Sequence, residues 1–225
     1  MLFKDRAEAG RRLSTALGAR AGRGDLVVLG LPRGGVVVAE QVAAELRAPL
    51  DVFVVRKLGV PDHEELAMGA IARGGVRVIN EDIVRALGIP EPVIDEVAAE
   101  ATAELERRER HYRAGRGPLE VAGKTVIVVD DGLATGATMR AAIGALRKLG
   151  AAEVVAAVPV GPMETCQELS GLCDDLVCLV TPEPFIGVGV WYRDFTQTTD
   201  DDVRAALERA AQRRGHASAA APAWL

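Results

Sequence analysis

Residues Val126 to Thr138 read VIVVDDGLATGAT. Four consecutive aliphatics mark a strand covered on both faces, as in a parallel sheet. That strand ends in two adjacent carboxylates, Asp130 and Asp131. A short loop then leads into Thr-Gly-Ala-Thr at the start of a helix. Free backbone N–H groups, a glycine, two hydroxyls and the positive end of a helix make a phosphate cradle without any lysine. Ionised carboxylates only accept hydrogen bonds, so the two acids suit sugar hydroxyls and not phosphate. Diol acceptors beside a monophosphate cradle call for a ribose 5-phosphate. Rival motifs fail on the residues: a Walker loop needs a lysine before its Ser/Thr, and neither GxGxxG nor GxSxG is present.

Outward from this stretch the chain alternates strands and helices. Toward the N-terminus, Leu26–Leu31 and Leu50–Val55 are apolar runs that read as buried strands. Asp5–Leu17 and Val36–Leu46 read as helices. Met68–Ala72 and Val76–Ile79 flank Arg73-Gly74-Gly75 as a hairpin. Glu91–Arg113 is a charged helix of ~33 Å with i,i+4 pairs Glu104/Arg108, Glu106/Arg110 and Glu109/Arg113. Toward the C-terminus, Thr138–Leu149, Glu164–Leu172 and Asp200–Ala211 read as helices, with strands at Glu153–Val160 and Leu176–Val180. The tail from Gly215 to Leu225 reads as flexible. Repeated strand–helix units predict an α/β fold, a parallel sheet flanked by helices on both faces. Ligands then sit beyond the carboxyl ends of the strands, at Pro32–Gly35, Arg56-Lys57, Asp130–Thr138 and Gly161-Pro162.

Composition narrows the class. The chain has 225 residues, 49% of them hydrophobic, which suits one well-filled unit and excludes global disorder. Aromatics are 4%, so Ala, Val and Leu must build the core. A net charge of −5 argues against a general nucleic-acid binder. Cys166, Cys173 and Cys178 form no CxxC pair and read as ordinary thiols in a reducing compartment. No apolar stretch approaches the ~18–20 residues that span a bilayer, and the N-terminus lacks a signal core. The expected location is cytoplasmic.

The thirteen-residue run resembles the phosphoribosyl pyrophosphate (PRPP) signature of type I phosphoribosyltransferases, and the resemblance extends over about residues 26–195. It implies that Asp130 and Asp131 take the ribose hydroxyls. Ala134, Thr135, Gly136, Ala137 and Thr138 would hold the 5-phosphate. LPRGG (Leu31–Gly35) resembles the family's pyrophosphate loop, with Arg33, Gly34 and Gly35 around that group and a strained or cis peptide near Pro32-Arg33. Arg56 and Lys57 resemble the basic pair that follows the next strand. Leu58–Leu66 falls where the family has a mobile catalytic loop, in which His63, Glu64 and Glu65 are the nearest base candidates. Pro184–Phe195 resembles the hood of purine-salvage members, with Phe185, Trp191 and Tyr192 as candidates to stack on a base.

The resemblance implies a single phosphoribosyltransferase-like unit over residues 1–214, with a core of about 24–180. A small hood of about 181–199 would join N-terminal elements. The implied catalytic set is Asp130, Asp131 and Arg33. The implied partners are PRPP with Mg2+ and a nitrogenous small molecule. Mg2+ would be held mainly through substrate oxygens and water, with no direct protein ligand assigned. A homodimer is admitted, while membrane and nucleic acid are not expected. The alternative is a PRPP-sensing regulator on the same fold.

Three positions depart from the family's pattern. Ala134 stands where some members carry an acid that acts as base. Val160-Gly161-Pro162 replaces a lysine that reads a 6-oxo group. Trp191 lies about where purine-salvage hoods have a metal-facing aspartate. These departures leave PRPP binding intact and the acceptor open.

Overall fold

The computed structural model describes residues 2–219. In chain order the elements are α1 (Arg6–Ala16), β1 (Leu26–Gly30), α2 (Gly34–Leu46), β2 (Leu50–Val52), β3 (Val55–Val60), β4 (His63–Ala72), β5 (Val76–Ile79), α3 (Glu81–Leu87) and α4 (Glu91–Arg113). There follow β6 (Thr125–Val129), α5 (Ala137–Lys148), β7 (Glu153–Val160), α6 (Met163–Ser170), β8 (Asp175–Val180) and α7 (Asp200–Ala219). A five-stranded parallel sheet runs β2-β1-β6-β7-β8, and β3-β4-β5 form a separate antiparallel sheet.

The parallel strands are Val- and Leu-rich because both of their faces are covered. Alternate residues serve opposite cores, as the two-residue period of a strand requires. Val28, Ile127, Val129, Val155 and Ala157 pack with Leu13 of α1, Val38 and Val42 of α2 and Leu207 of α7. Their neighbours Val27, Leu29, Val126, Val128, Val154 and Ala156 pack with Met139, Ile143 and Leu146 of α5 and Leu169 of α6. The expected arrangement, helices on both faces of a parallel sheet, is therefore what the chain adopts.

Two expectations change. Leu58–Leu66, read as a mobile loop, is the centre of the β3–β4 hairpin, turning at Pro61-Asp62. Leu58 and Val60 point the same way and are buried against α4, while register shifts around Gly59 break the simple alternation. The Gly, Pro and Asp that suggested a loop instead serve the bulge and the turn, where Asp62 has φ of 63°. At the C-terminus, α7 continues through Ala219, beyond Gly215 where a loose tail was expected. Residues 220–225 of that tail lie outside the described residues.

Helix α4 straps the hairpin to the core through Ile94, Ala98, Ala101 and Leu105, one stripe at helical spacing. Glu104–Arg108 and Glu106–Arg110 pair as expected, at 2.9 and 3.5 Å. Glu109–Arg113 does not. Arg113 instead grips Asp51 of β2 with two hydrogen bonds, at 3.0 and 2.8 Å, and Glu109 faces Arg73 at 3.9 Å. A largely buried carboxylate claims the guanidinium, because an unpaired buried charge costs far more than an exposed helix pair contributes. Among the described residues no helix is long and apolar enough to cross a membrane.

Candidate active site

The acids follow directly on β6, at the carboxyl edge of the parallel sheet. Asp131 N–H donates to Asp130 Oδ1 at 2.8 Å. Burial, and next the neighbouring charge of Asp131, push the Asp130 carboxyl well above its ordinary value. Asp131 is held from two other parts of the chain. Arg6 Nε of α1 donates to its Oδ2 at 2.7 Å, and the Tyr192 hydroxyl donates to its main-chain carbonyl at 2.6 Å.

The loop expected to hold the 5-phosphate runs from Gly132 to the first turn of α5. Gly136 precedes that helix with φ of 70°, the left-handed conformation that a glycine adopts without strain. Ala134, Thr135, Ala137 and Thr138 are exposed around it. Thr165 of α6 donates to the Ala134 carbonyl at 3.3 Å, which buttresses the loop from behind. The result is a helix N-terminus with open amides and hydroxyls, the arrangement that receives a phosphate.

LPRGG lies against the acids. The Pro32–Arg33 peptide is cis, and α2 starts at Gly34. A Cβ on Gly34 would stand 1.9 Å from Asp131 Oδ2, and one on Gly35 would stand 2.7 Å from the Val129 carbonyl oxygen and 2.9 Å from Asp130 Oδ1. Only glycine lets the start of α2 sit on the two carboxylates. Arg33 is exposed, near enough to Tyr112 for its charge to act on that phenol. Tyr112 is pushed up to about 12 by burial and by its 2.7 Å bond to Asp200, with Arg33 pulling the other way.

The hood packs on this corner. Phe3, Ala9, Val160 and Tyr192 form its buried core, with Phe185, Val188, Trp191 and Phe195 partly buried around them. The N-terminal strand-like segment joins it: Leu2 and Phe3 N–H donate to the Trp191 carbonyl, and Arg193 N–H donates to that of Phe3. Val188 presses onto Gly132, where a Cβ would meet it at 2.4 Å. Tyr192 is buried between the rings of Phe3 and Phe195, with centroids at 5.3 and 4.9 Å. Phe185 and Trp191 keep partial exposure, and the buried Trp191 Nε1 makes no hydrogen bond among the described residues.

The structure thus gathers Asp130, Asp131, Gly34, Gly35, the phosphate loop and the hood at one edge of the sheet. Arg56 and Lys57 follow the carboxyl end of β2, but as exposed residues of β3 in the second sheet, with Arg56 3.9 Å from Glu104 of α4. The strand read as Leu50–Val55 ends at Val52, so the basic pair opens the hairpin. His63 is exposed at the start of β4, and Glu64 and Glu65 follow it in that strand. Sequence reading missed Arg6 altogether. A basic residue in the first turn of a charged amphipathic helix carries no local sign that it turns inward. Its only signal is the pairing itself, across 125 residues.

Known proteins resemble this chain in sequence and in fold. The family model described as "Phosphoribosyl transferase domain" matches residues 4–193. Two Mycobacterium tuberculosis proteins, named "Putative phosphoribosyl transferase Rv0571c" and "Putative phosphoribosyl transferase MT0597", are each 51% identical over 209 residues, covering 93% of this chain and 47% of theirs. The chain therefore spans about half the length of these curated relatives. The crystal structure of TT1426 from Thermus thermophilus superposes with a TM-score of 0.84 at 41% identity, covering 93% of this chain and 99% of that one. Two motifs meeting at one sheet edge, and a family match over residues 4–193, have one reading: this chain belongs to the phosphoribosyl transferase domain family.

Proposed function

We propose that this domain binds PRPP with Mg2+ and transfers the 5-phosphoribosyl group to a nitrogenous acceptor, with release of pyrophosphate. The observation that carries this reading is the contact between motifs. Gly34 and Gly35 lie so close to Asp131 and Asp130 that the pyrophosphate loop and the ribose acids form one continuous surface. The phosphate loop before α5 continues that surface on the far side of the acids. The activity of the whole protein belongs to the proposal, since the relatives are about twice as long.

The donor set fits a hard cation. Two carboxylates stand beside a loop that an anion would occupy, and a Cβ at Gly34 would fill the cradle between them. Asp130 and Asp131 would hold Mg2+ through the ribose hydroxyls and water. When bound, the ion supplies charge neutralisation to the departing pyrophosphate. The chain's own groups do the rest. The carboxylates accept the ribose hydroxyls and fix the sugar. The amides of Thr135–Thr138 hold the 5-phosphate at the start of α5. Arg33 and the amides of Gly34 and Gly35 receive the pyrophosphate. Positioning and stabilisation of the leaving group carry the rate, with the hood limiting water.

The acceptor side is apolar. Ala134 is exposed with no proton acceptor, and Gly161-Pro162 carry no cation or amide side chain. Poor turnover of hypoxanthine and guanine is the expected result, and efficient turnover of guanine would overturn it. The same absence of a base at Ala134 favours, as second reading, a PRPP sensor without turnover. Pyrophosphate release, assayed with Mg-PRPP and a panel of purines, pyrimidines and small amines, separates the two. For binding itself, the double substitution Asp130→Asn, Asp131→Asn removes two charged acceptors and is expected to weaken Mg-PRPP at least ~10-fold by calorimetry. Unchanged affinity would refute the site.

A further inference from the structure

Arg6 belongs to neither motif, yet it makes three contacts at their junction. Its Nε donates to Asp131 Oδ2 at 2.7 Å, its Nη1 donates to the Thr196 carbonyl at 2.8 Å, and its guanidinium lies 3.8 Å from the centroid of the Phe195 ring. The side chains of Arg6 and Asp131 are only 11% and 17% exposed, so water and salt compete weakly for the pair. A Cβ on Gly34 would fall 2.8 Å from Arg6 Nε, which places the guanidinium against the loop assigned to pyrophosphate.

We propose that Arg6 is a positioning residue for PRPP: seated by the hood, it fixes the Asp131 carboxylate for the ribose hydroxyls. This rests on the reading of the site given above. Asp131 adjoins a second carboxylate, and two such groups side by side repel each other. A guanidinium committed to Oδ2 offsets that repulsion and selects one orientation, so that Oδ1 is left for substrate. The second donor and the ring face tie the same cation to Phe195 and Thr196, so the acid and the hood share one anchor. A planar fork is suited to this. A lysine ammonium keeps the charge but is a compact point donor without the planar face that stacks on a ring.

Calorimetry with Mg-PRPP on the full chain tests this. The proteins compared are wild type, Arg6→Lys, Arg6→Gln, Asp131→Asn, and the double variant Arg6→Gln, Asp131→Asn. A folded state is checked for each by thermal melting. The expected result is a loss of about tenfold or more in Arg6→Gln, a smaller loss in Arg6→Lys, and a double variant no weaker than Asp131→Asn alone. That last equality is what a merely structural arginine would not give, since its effect would add to that of Asp131→Asn. If Arg6→Gln does not fold, the Arg6→Lys affinity decides: a clear loss supports the role, and wild-type affinity overturns it. Affinity within twofold in Arg6→Gln, or additive losses in the double variant, overturns the proposal alone. Wild-type protein without affinity for Mg-PRPP overturns the site reading as well.

Discussion

At Gly34 the absence of one carbon atom is a steric requirement. A methyl there would lie 1.9 Å from Asp131 Oδ2, too close for either group to remain in place. Gly34→Ala is therefore expected to cost at least ~10-fold in Mg-PRPP affinity, by displacing one charge-assisted acceptor. Gly117→Ala is the control, since a Cβ there meets nothing within 4 Å and affinity should stay unchanged. Equal affinities in both variants would show that the glycine contact is irrelevant to binding. The residues that the sequence singled out, Asp130, Asp131, Gly34, Gly35 and the TGAT loop, share a property. Each owes its chemistry to its immediate neighbours along the chain. Arg6 and Tyr192 owe theirs to Asp131, which lies far from both in sequence, and nothing local distinguishes them from a solvated arginine and a core tyrosine.

Helix α4 shows the same limit at the scale of an element. Its length and two of its surface pairs follow from spacing, but the fate of Glu109 does not. Glu109 faces Arg73 at 3.9 Å, and Arg73 Nη1 and Glu109 Oε1 are buried without a hydrogen-bond partner among the described residues. Burial raises the Glu109 carboxyl above its ordinary value, against the pull of Arg73 and Arg113. An acid whose folded value is raised disfavours folding when ionised. That cost sets in as pH rises above the unfolded glutamate value, near ~4.3, and is complete above the raised folded value. Glu109→Gln should therefore melt higher than wild type at neutral pH, and the gap should close below about pH 4. A neutral-pH melting point below wild type would mean that the Arg73 interaction outweighs burial. The hairpin beside α4 was misread because Gly59, Pro61 and Asp62 are loop-like in isolation. The buried pair Leu58 and Val60 becomes a strand signal only once α4 is there to cover it. Leu105, 2% exposed in that contact, should cost ~2–5 kcal/mol as Leu105→Ala, read by denaturant unfolding. Stability within 0.5 kcal/mol (roughly the scale of a surface change) would show that α4 is not part of the cooperative core.

For the whole molecule, the parallel sheet was legible because buried strands announce themselves as unbroken aliphatic runs. The order of its strands was not, since nothing along β2, β1, β6, β7 and β8 names a neighbour. A ligand that binds only the folded chain stabilises all of it. Mg-PRPP at ~100 times its dissociation constant should add ~2.7 kcal/mol and raise the melting temperature by a few degrees. Chelating the metal should remove most of that gain, and an equal shift without Mg2+ would count against the cation's role.

The bonds to Asp131 also set a timetable for biosynthesis. Arg6 leaves the ribosome before the acids, and the acids leave before Tyr192 and Thr196. The carboxylate can have its complete set of partners only when almost the whole domain has been translated. A nascent chain stopped after β8 would hold both nucleotide motifs and still lack the carbonyl and ring that seat Arg6. The proposed site is thus complete only once the hood residues have been made and meet the first helix.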